Sequence, residues 1–345
     1  MLRLGVLASC AAALALSCTP AKTAPVAVAP LAVPSAPPAI GAAPATAPSA
    51  APVVASPAEP GGLVRWKGSR VSLWAPQTMY RQTRLQYLRQ DDPLVVVAVA
   101  ELTAQTPDES RQMLAGAQRG AGIAQPEAVR HGNAQGFTGR AEPEANGLDR
   151  RVLGLADGLA AAVIIVQHAA AAAPQVTKIL ESVTLDANAP LDPLALNGIT
   201  VGDHAGFAVS DGASHPVMFF EKGKKPPIAD GEPSFMLMSL PYPKPEVADR
   251  ELGAMLGLTL AHYAPKMDKA NMNSFDVARQ PAFVMAVPGT FENKPVGLYA
   301  FISRRADTAF VGVGRVRASA MKDAGPRFER LVKSIQLDDS IFGAK

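Results

Sequence analysis

The chain has 345 residues and a formal charge of only +3, from 33 basic and 30 acidic side chains. That balance offers no strong field of either sign for nucleic acid or an anionic membrane surface. Its two cysteines, Cys10 and Cys18, both lie at the start, so the rest of the chain has no thiol for a disulfide, a nucleophile or a metal.

The opening run M-L-R-L-G-V-L-A-S-C-A-A-A-L-A-L-S-C-T-P places one positive charge, Arg3, ahead of an apolar stretch too short to span a bilayer, the layout of a secretory signal. A-L-S-C, ending at Cys18, resembles the lipobox of bacterial lipoproteins, in which the cysteine is lipidated and becomes the first residue of the mature chain. L-A-S-C, ending at Cys10, fits the lipobox letters better but leaves an apolar segment of only a few residues, and simple secretion with incidental cysteines is the third alternative. The resemblance, with Thr19 rather than Asp after the cysteine, implies an outer-membrane lipid anchor facing either the periplasm or the exterior. From Thr19 to about Gly61 the chain is almost wholly Ala, Pro, Val, Ser and Thr, which cannot build a core and is biased to polyproline II. At about 3.1 Å per residue it reaches roughly 100 Å when extended.

From Leu63 the composition shifts to alternating apolar and polar residues with punctuating turns, and short signatures recur. G-L-V-R-W-K-G-S-R-V-S-L-W from Gly62 is matched with G-I-T-V-G-D-H-A-G-F-A-V-S from Gly198, which sets Val71 and Leu73 against Phe207 and Val209. Pro107 opens a helix in T-P-D-E-S-R-Q-M-L and Pro245 one in K-P-E-V-A-D-R-E-L; proline suits a first helical position, Thr106 the cap, and Asp108 and Glu109 the positive helix end. Phe137 and Phe283 each open a strand. Finally P-Q-V-T-K-I-L-E-S-V-T-L-D from Pro174 repeats as P-R-F-E-R-L-V-K-S-I-Q-L-D from Pro326. Val176, Ile179, Leu180 and Val183 match Phe328, Leu331, Val332 and Ile335, each set forming one buried helix face.

The spacing between copies widens only between anchors, as insertions in loops would make it. The predicted organisation is a signal peptide over 1–17, a disordered linker over 18–61, and two duplicated domains over 62–187 and 197–340. Each runs strands, helix, strands, helix, and runs such as L-V-V-V-A-V-A are apolar on both faces, so they need a covering layer on each side. The expected class is α+β, two tandem α-β-α sandwiches with mostly antiparallel sheets. This order, with R-V-S-L-W-A-P at the start and S-V-T-L-D or S-I-Q-L-D at the close, resembles the PsbP-like fold, a family that includes the photosystem extrinsic subunit, Ran-binding relatives and bacterial envelope lipoproteins. The resemblance implies partner binding or assembly and carries over no catalytic residue.

The chemistry-bearing residues are sparse. Five histidines, His131, His168, His204, His215 and His262, show no helical metal spacing, so no metal site and no cofactor is predicted. Ser319-Ala320-Met321-Lys322 matches S-x-x-K but lacks its companion elements in the required order. G-V-G-R-V-R from Gly312 lacks a phosphate loop's context, and glycines within a strand more often permit close packing; Arg315 and Arg317 share one face of it. The basic hairpin E-K-G-K-K-P-P, with Lys222, Lys224 and Lys225, is either a solvated tip or a contact for an acidic partner; the first copy carries Asp91 and Asp92 there instead. P-Y-P-K-P-E around Tyr242 is a helix entry or a binding edge. No catalytic residue is assigned. The functional expectation is a lipid-anchored, non-enzymatic envelope protein that binds a protein partner and no nucleic acid. The alternatives are a carrier or sensor of a small ligand, for which S-F-M-L-M-S would suit an adaptable pocket, and an envelope hydrolase with an unrecognised site.

Overall fold

The computed structural model describes residues 60–80, 86–123, 125–141, 147–224, 231–241, 249–261, 272–291, 293–305 and 308–338. Cys10, Cys18, the linker to Glu59, Lys225, Tyr242, Pro245 and His262 lie outside them. By its contacts, Gly61–Lys345 forms one unit.

In the first half the strands are β1 (Gly61–Arg65), β2 (Val71–Pro76), β3 (Tyr87–Asp91), β4 (Leu94–Thr103), β5 (Glu127–His131), β6 (Ala134–Ala141), β7 (Asp149–Asp157), β8 (Ala160–His168) and β9 (Thr184–Leu185). Helix α1 (Pro107–Gly120) follows β4, and α2 (Ala173–Glu181) follows β8. A six-stranded antiparallel sheet runs β3-β4-β8-β7-β6-β5, and β1-β2-β9 form a small second sheet. Thr106 Oγ1 accepts from Glu109 N at 3.2 Å with Pro107 at the helix start, so α1 begins where the capping signal places it.

After α3 (Pro193–Leu196) the same succession returns: β10 (Ile199–Val201), β11 (Phe207–Val209), β12 (Val217–Glu221), β13 (Ser234–Pro241), α4 (Asp249–Ala261), β14 (Met272–Val277), β15 (Gln280–Phe291), β16 (Lys294–Arg305), β17 (Thr308–Arg317), α5 (Met321–Lys333) and β18 (Ile335–Leu337). The large sheet is β11-β12-β13-β17-β16-β15-β14, and β10-β18 form the small one. Strand for strand this is the order of the first half, with β11 added at one edge. Among the described residues the first half has an isolated Tyr80–Arg89 bridge in that place. The fold is thus α+β with antiparallel sheets covered on both faces, as the doubly apolar runs require.

The closing helices bury the expected faces: Val176, Ile179, Leu180 and Val183 on one core, Phe328, Leu331, Val332 and Ile335 on the other. They differ at the start. Pro174 stands in the first turn of α2, whereas Pro326 lies inside α5, which has thirteen residues against nine. The extra turn is Met321–Ala324.

The first anchor of the repeat needs correcting. Val71 pairs with Leu185 in β9, and Ile199 pairs with Leu337 in β18. Val71 therefore corresponds to Ile199 and Leu73 to Val201, not to Phe207 and Val209, which belong to β11 and the large sheet. Alternating apolar residues occur in both β10 and β11, so period two alone could not choose between them. The Phe137–Phe283 anchor keeps its register: Thr138 pairs with Leu153, and Val284 with Phe301.

Candidate functional site

The sequence-predicted residues are dispersed. Lys222 is exposed in the turn after β12, and its backbone N donates to Gly206 O at 2.9 Å. Lys224 Nζ lies 2.9 Å from Glu232 Oε1, and this hydrogen bond holds its pKa above the ordinary lysine value. In the first half Asp91 accepts from Tyr80 Oη and Arg89 Nε, each at 2.7 Å, which hold it below the usual carboxylate range. The two hairpins do carry opposite signs, but Lys224 and Asp91 are both partnered within the fold.

The other candidates resolve into packing. Ser319 and Lys322 are both exposed, and no hydrogen bond joins them. Gly312 and Gly314 lie beneath Phe235, Phe301 and Phe328, where an added Cβ on Gly312 would come within 2.2 Å of the Phe301 ring. Arg315 covers the Phe291 ring at 3.9 Å. His131 Nδ1 lies 2.8 Å from Val183 O and His168 Nδ1 2.9 Å from Ala169 O. Among the described residues no cluster of three His, Cys, Asp or Glu could hold a metal ion. Met236 and Met238 are half-buried on the α4 side of their sheet, Met238 packing against the core beneath α4.

A polar seam that sequence inspection missed joins the halves. Glu101, fully buried near the end of β4, accepts from Ser69 Oγ at 2.5 Å, from Arg70 N at 2.8 Å and from Gln86 Nε2. The corresponding positions in the second half, two residues before β10 and near the end of β13, are Asn197 and Ser239, and Ser239 Oγ donates to Asn197 Oδ1 at 2.7 Å. The two pairs meet at Ser214: its N donates to Glu101 O at 2.8 Å, its Oγ accepts from Glu101 N at 2.9 Å, and its O accepts from Asn197 Nδ2 at 3.0 Å. Thr103 N also donates to Gly212 O at 2.8 Å, so Gly212–Ser214 lies beside the last residues of β4, where β3 has ended. The only signal in the sequence was one acid in an otherwise apolar strand. Fully buried and holding three donors, Glu101 is a joint rather than a reactive group.

The halves differ most at one end of the large sheets. By register, Arg140, Asp149, Arg151 and His168 correspond to Ala286, Gly297, Tyr299 and Val316. In the second half the extra turn of α5 lies over Gly297, and Ala286 stays exposed. Met321 packs against Gly297, where an added Cβ would meet its side chain at 2.7 Å, and Tyr299 is sealed beneath Phe328 with ring centroids 6.0 Å apart. Burial there pushes the Tyr299 phenol up.

In the first half α2 lacks that turn, and a cleft of about 430 Å³ lies open at the sheet edge, lined by Gln125, Glu127, Thr138, Gly139, Arg140 and Arg151. Arg140 and Arg151 stand directly opposite one another on β6 and β7, a pairing that like charges disfavour. Arg140 is held by Asp149, whose carboxyl is lowered by that hydrogen bond. Thr138, which also lines the cleft, donates from Oγ1 to Val152 O at 3.1 Å. Arg151 is half-buried and makes no ion pair or side-chain hydrogen bond among the described residues.

No family model matches the chain, and no curated protein matches it either. Solved structures that it resembles include the solution structure of a cyanobacterial PsbP from Synechocystis, at 7% identity and TM-score 0.27, covering 40% of this chain and 91% of that one. The apo immunity protein TplEi of a type VI secretion system from Pseudomonas aeruginosa is similar at 10% identity and TM-score 0.33, covering 81% of this chain and 97% of that one. A chain of the Tle4-Tli4 complex is similar at 10% identity and TM-score 0.32, covering 80% and 98%. At these values none of them assigns a role to this chain.

Proposed function

We propose that this chain is a non-enzymatic protein-binding module of the cell envelope, held to the outer membrane by a lipid on Cys18 and carried at a distance by the Ala/Pro-rich segment, with two duplicated domains over 62–187 and 197–340. The observation that carries the binding role is the arginine-lined cleft. Where it has Arg151 the other half has the phenol of Tyr299 buried beneath Phe328, so the first half forgoes burial of an aromatic ring at that position and presents guanidinium groups instead. Arginine is enriched at protein interfaces, where its planar fork engages partner groups. The hairpin with Lys222, Lys224 and Lys225, and the segment around Tyr242, are proposed as secondary contacts.

The test is capture of cross-linked partners from cells expressing the lipidated protein, with the double variant R140E/R151E and the triple variant K222E/K224E/K225E alongside. A stoichiometric protein that disappears with the arginine variant is the expected result. Capture of a defined small molecule and no protein would replace this role with that of a carrier.

A further inference from the structure

Resting on that binding role, we infer that the cleft is a receptor for a side-chain carboxylate presented by an extended acidic segment of the partner, with Arg151 as its anchor. Three observations converge. First, Arg140 is already paired with Asp149, whereas Arg151 faces the same cleft without a partner among the described residues. A half-buried guanidinium offers a planar pair of donors matched to one carboxylate.

Second, the cleft has mixed charge. Glu127 lines it and Asp149 adjoins it through Arg140, so a phosphate dianion would meet two carboxylates, while a single carboxylate meets Arg151 and leaves Glu127 to receive an N–H or ammonium group beside it. Peptide segments that mix acids with amide N–H groups have this pattern. Third, the cleft is bounded by two backbone runs. The pairing of β5 with β6 ends at Glu127 and Thr138, and the chain entering β5 passes beside Gly139, where an added Cβ would stand 3.5 Å from Gln125 O, so Gln125 and Glu127 face Thr138, Arg140 and Arg151 across a trough long enough for an extended segment.

The second half supplies the counter-example within the same molecule. Its register equivalents of Arg140 and Arg151 are Ala286, an exposed methyl, and Tyr299, a phenol buried beneath Phe328, so neither position offers a cation to a carboxylate. Binding is therefore a property of the first half.

The experiment measures fluorescence anisotropy of a labelled, end-capped hexapeptide carrying a single Glu, with the full-length lipidated protein in nanodiscs. Variants are R151Q, R151K, R111Q on the exposed face of α1, and an insertion of Met-Lys-Asp-Ala between Ala172 and Ala173, which copies the turn packed on Gly297 in the second half. Wild-type protein and R111Q should bind alike, R151Q should bind roughly tenfold more weakly, R151K should recover part of the loss, and the insertion should abolish binding. Thermal melts establish which variants fold; the R151Q and R151K pair decides the matter if the insertion does not.

Sodium succinate serves as competitor. Displacement at concentrations similar to those of the peptide identifies a free small carboxylic acid as the source of the carboxylate, and resistance to displacement identifies the partner segment. Peptide binding that is absent, or unchanged in R151Q, overturns the inference. If a partner is still captured from cells in that case, the protein-binding role stands and its contact lies elsewhere. If the peptide binds through Arg151 but no partner is captured, the site stands and the protein-binding role falls.

Discussion

Glu101 shows how a single residue can be decisive without being reactive. Buried without donors, a carboxylate is costly; here three donors surround it, and removing one partner would leave buried polar groups unpaired at about 1–3 kcal/mol each. His215, next to the seam residue Ser214, poses the opposite case. Its Nδ1 is buried with no hydrogen-bond partner, and burial lowers its pKa to about 4 from 6.5. The unfolded chain therefore binds a proton more readily than the folded one between those values. Stability from this residue is complete above pH 6.5, falls as pH drops through that window by at most about 1.4 kcal/mol per pH unit, and levels off below 4. Urea midpoints measured at pH 7.5, 6 and 5 should show that slope in the native protein and a flatter one in His215→Gln. Equal slopes would remove His215 as the cause.

At the scale of elements, most of the strands and both closing helices were legible because their apolar periodicity and capping residues are local properties. The edge strands β5 and β14 were not predicted. E-A-V-R-H and M-N-S-F-D-V bury little, so the alternation that marks a half-buried strand is weak in them. The glycines of β17 show why a local pattern needs its neighbours. Gly312 is required because the rings of Phe301 and Phe235 occupy the space a Cβ would take, at 2.2 and 2.5 Å. Both phenylalanines are fully buried in the same core and cannot yield cheaply. Gly312→Ala should cost about 2–3 kcal/mol by overpacking, read as a lower urea midpoint with an unchanged slope. By contrast, Gly62→Ala, where an added Cβ meets nothing within 4 Å, serves as the neutral reference. If both substitutions cost the same, the packing explanation fails.

At the scale of the molecule, the seam at Ser214 makes one body of two similar sheets. Gly212–Ser214 from the second half pairs with the end of β4, and the Ser69–Glu101 and Asn197–Ser239 contacts of the two halves converge on the same residue. The short segment from Asn188 thus connects halves that are already fastened by backbone hydrogen bonds. The expected outcome is a single calorimetric transition for the native protein. Ser214→Pro removes the N–H that reaches Glu101 O and the hydroxyl that receives Glu101 N, and should separate that transition into two. A single transition retained in the variant, with only a lower midpoint, would place the coupling elsewhere.

The sequence by itself determined that the chain after Leu63 is a layered α+β fold, and which faces of α2 and α5 are buried, because periodicity, caps and turn residues act over a few positions. Only the tertiary structure decided the register of the first strand, the seam around Glu101 and the cleft around Arg151. These depend on pairings between residues far apart in the chain, and on whether a helix begins one turn earlier or later. A one-turn difference is small in sequence, but on the sheet it sets Met321 over Gly297 in one half where the other presents Asp149 and its partner Arg140.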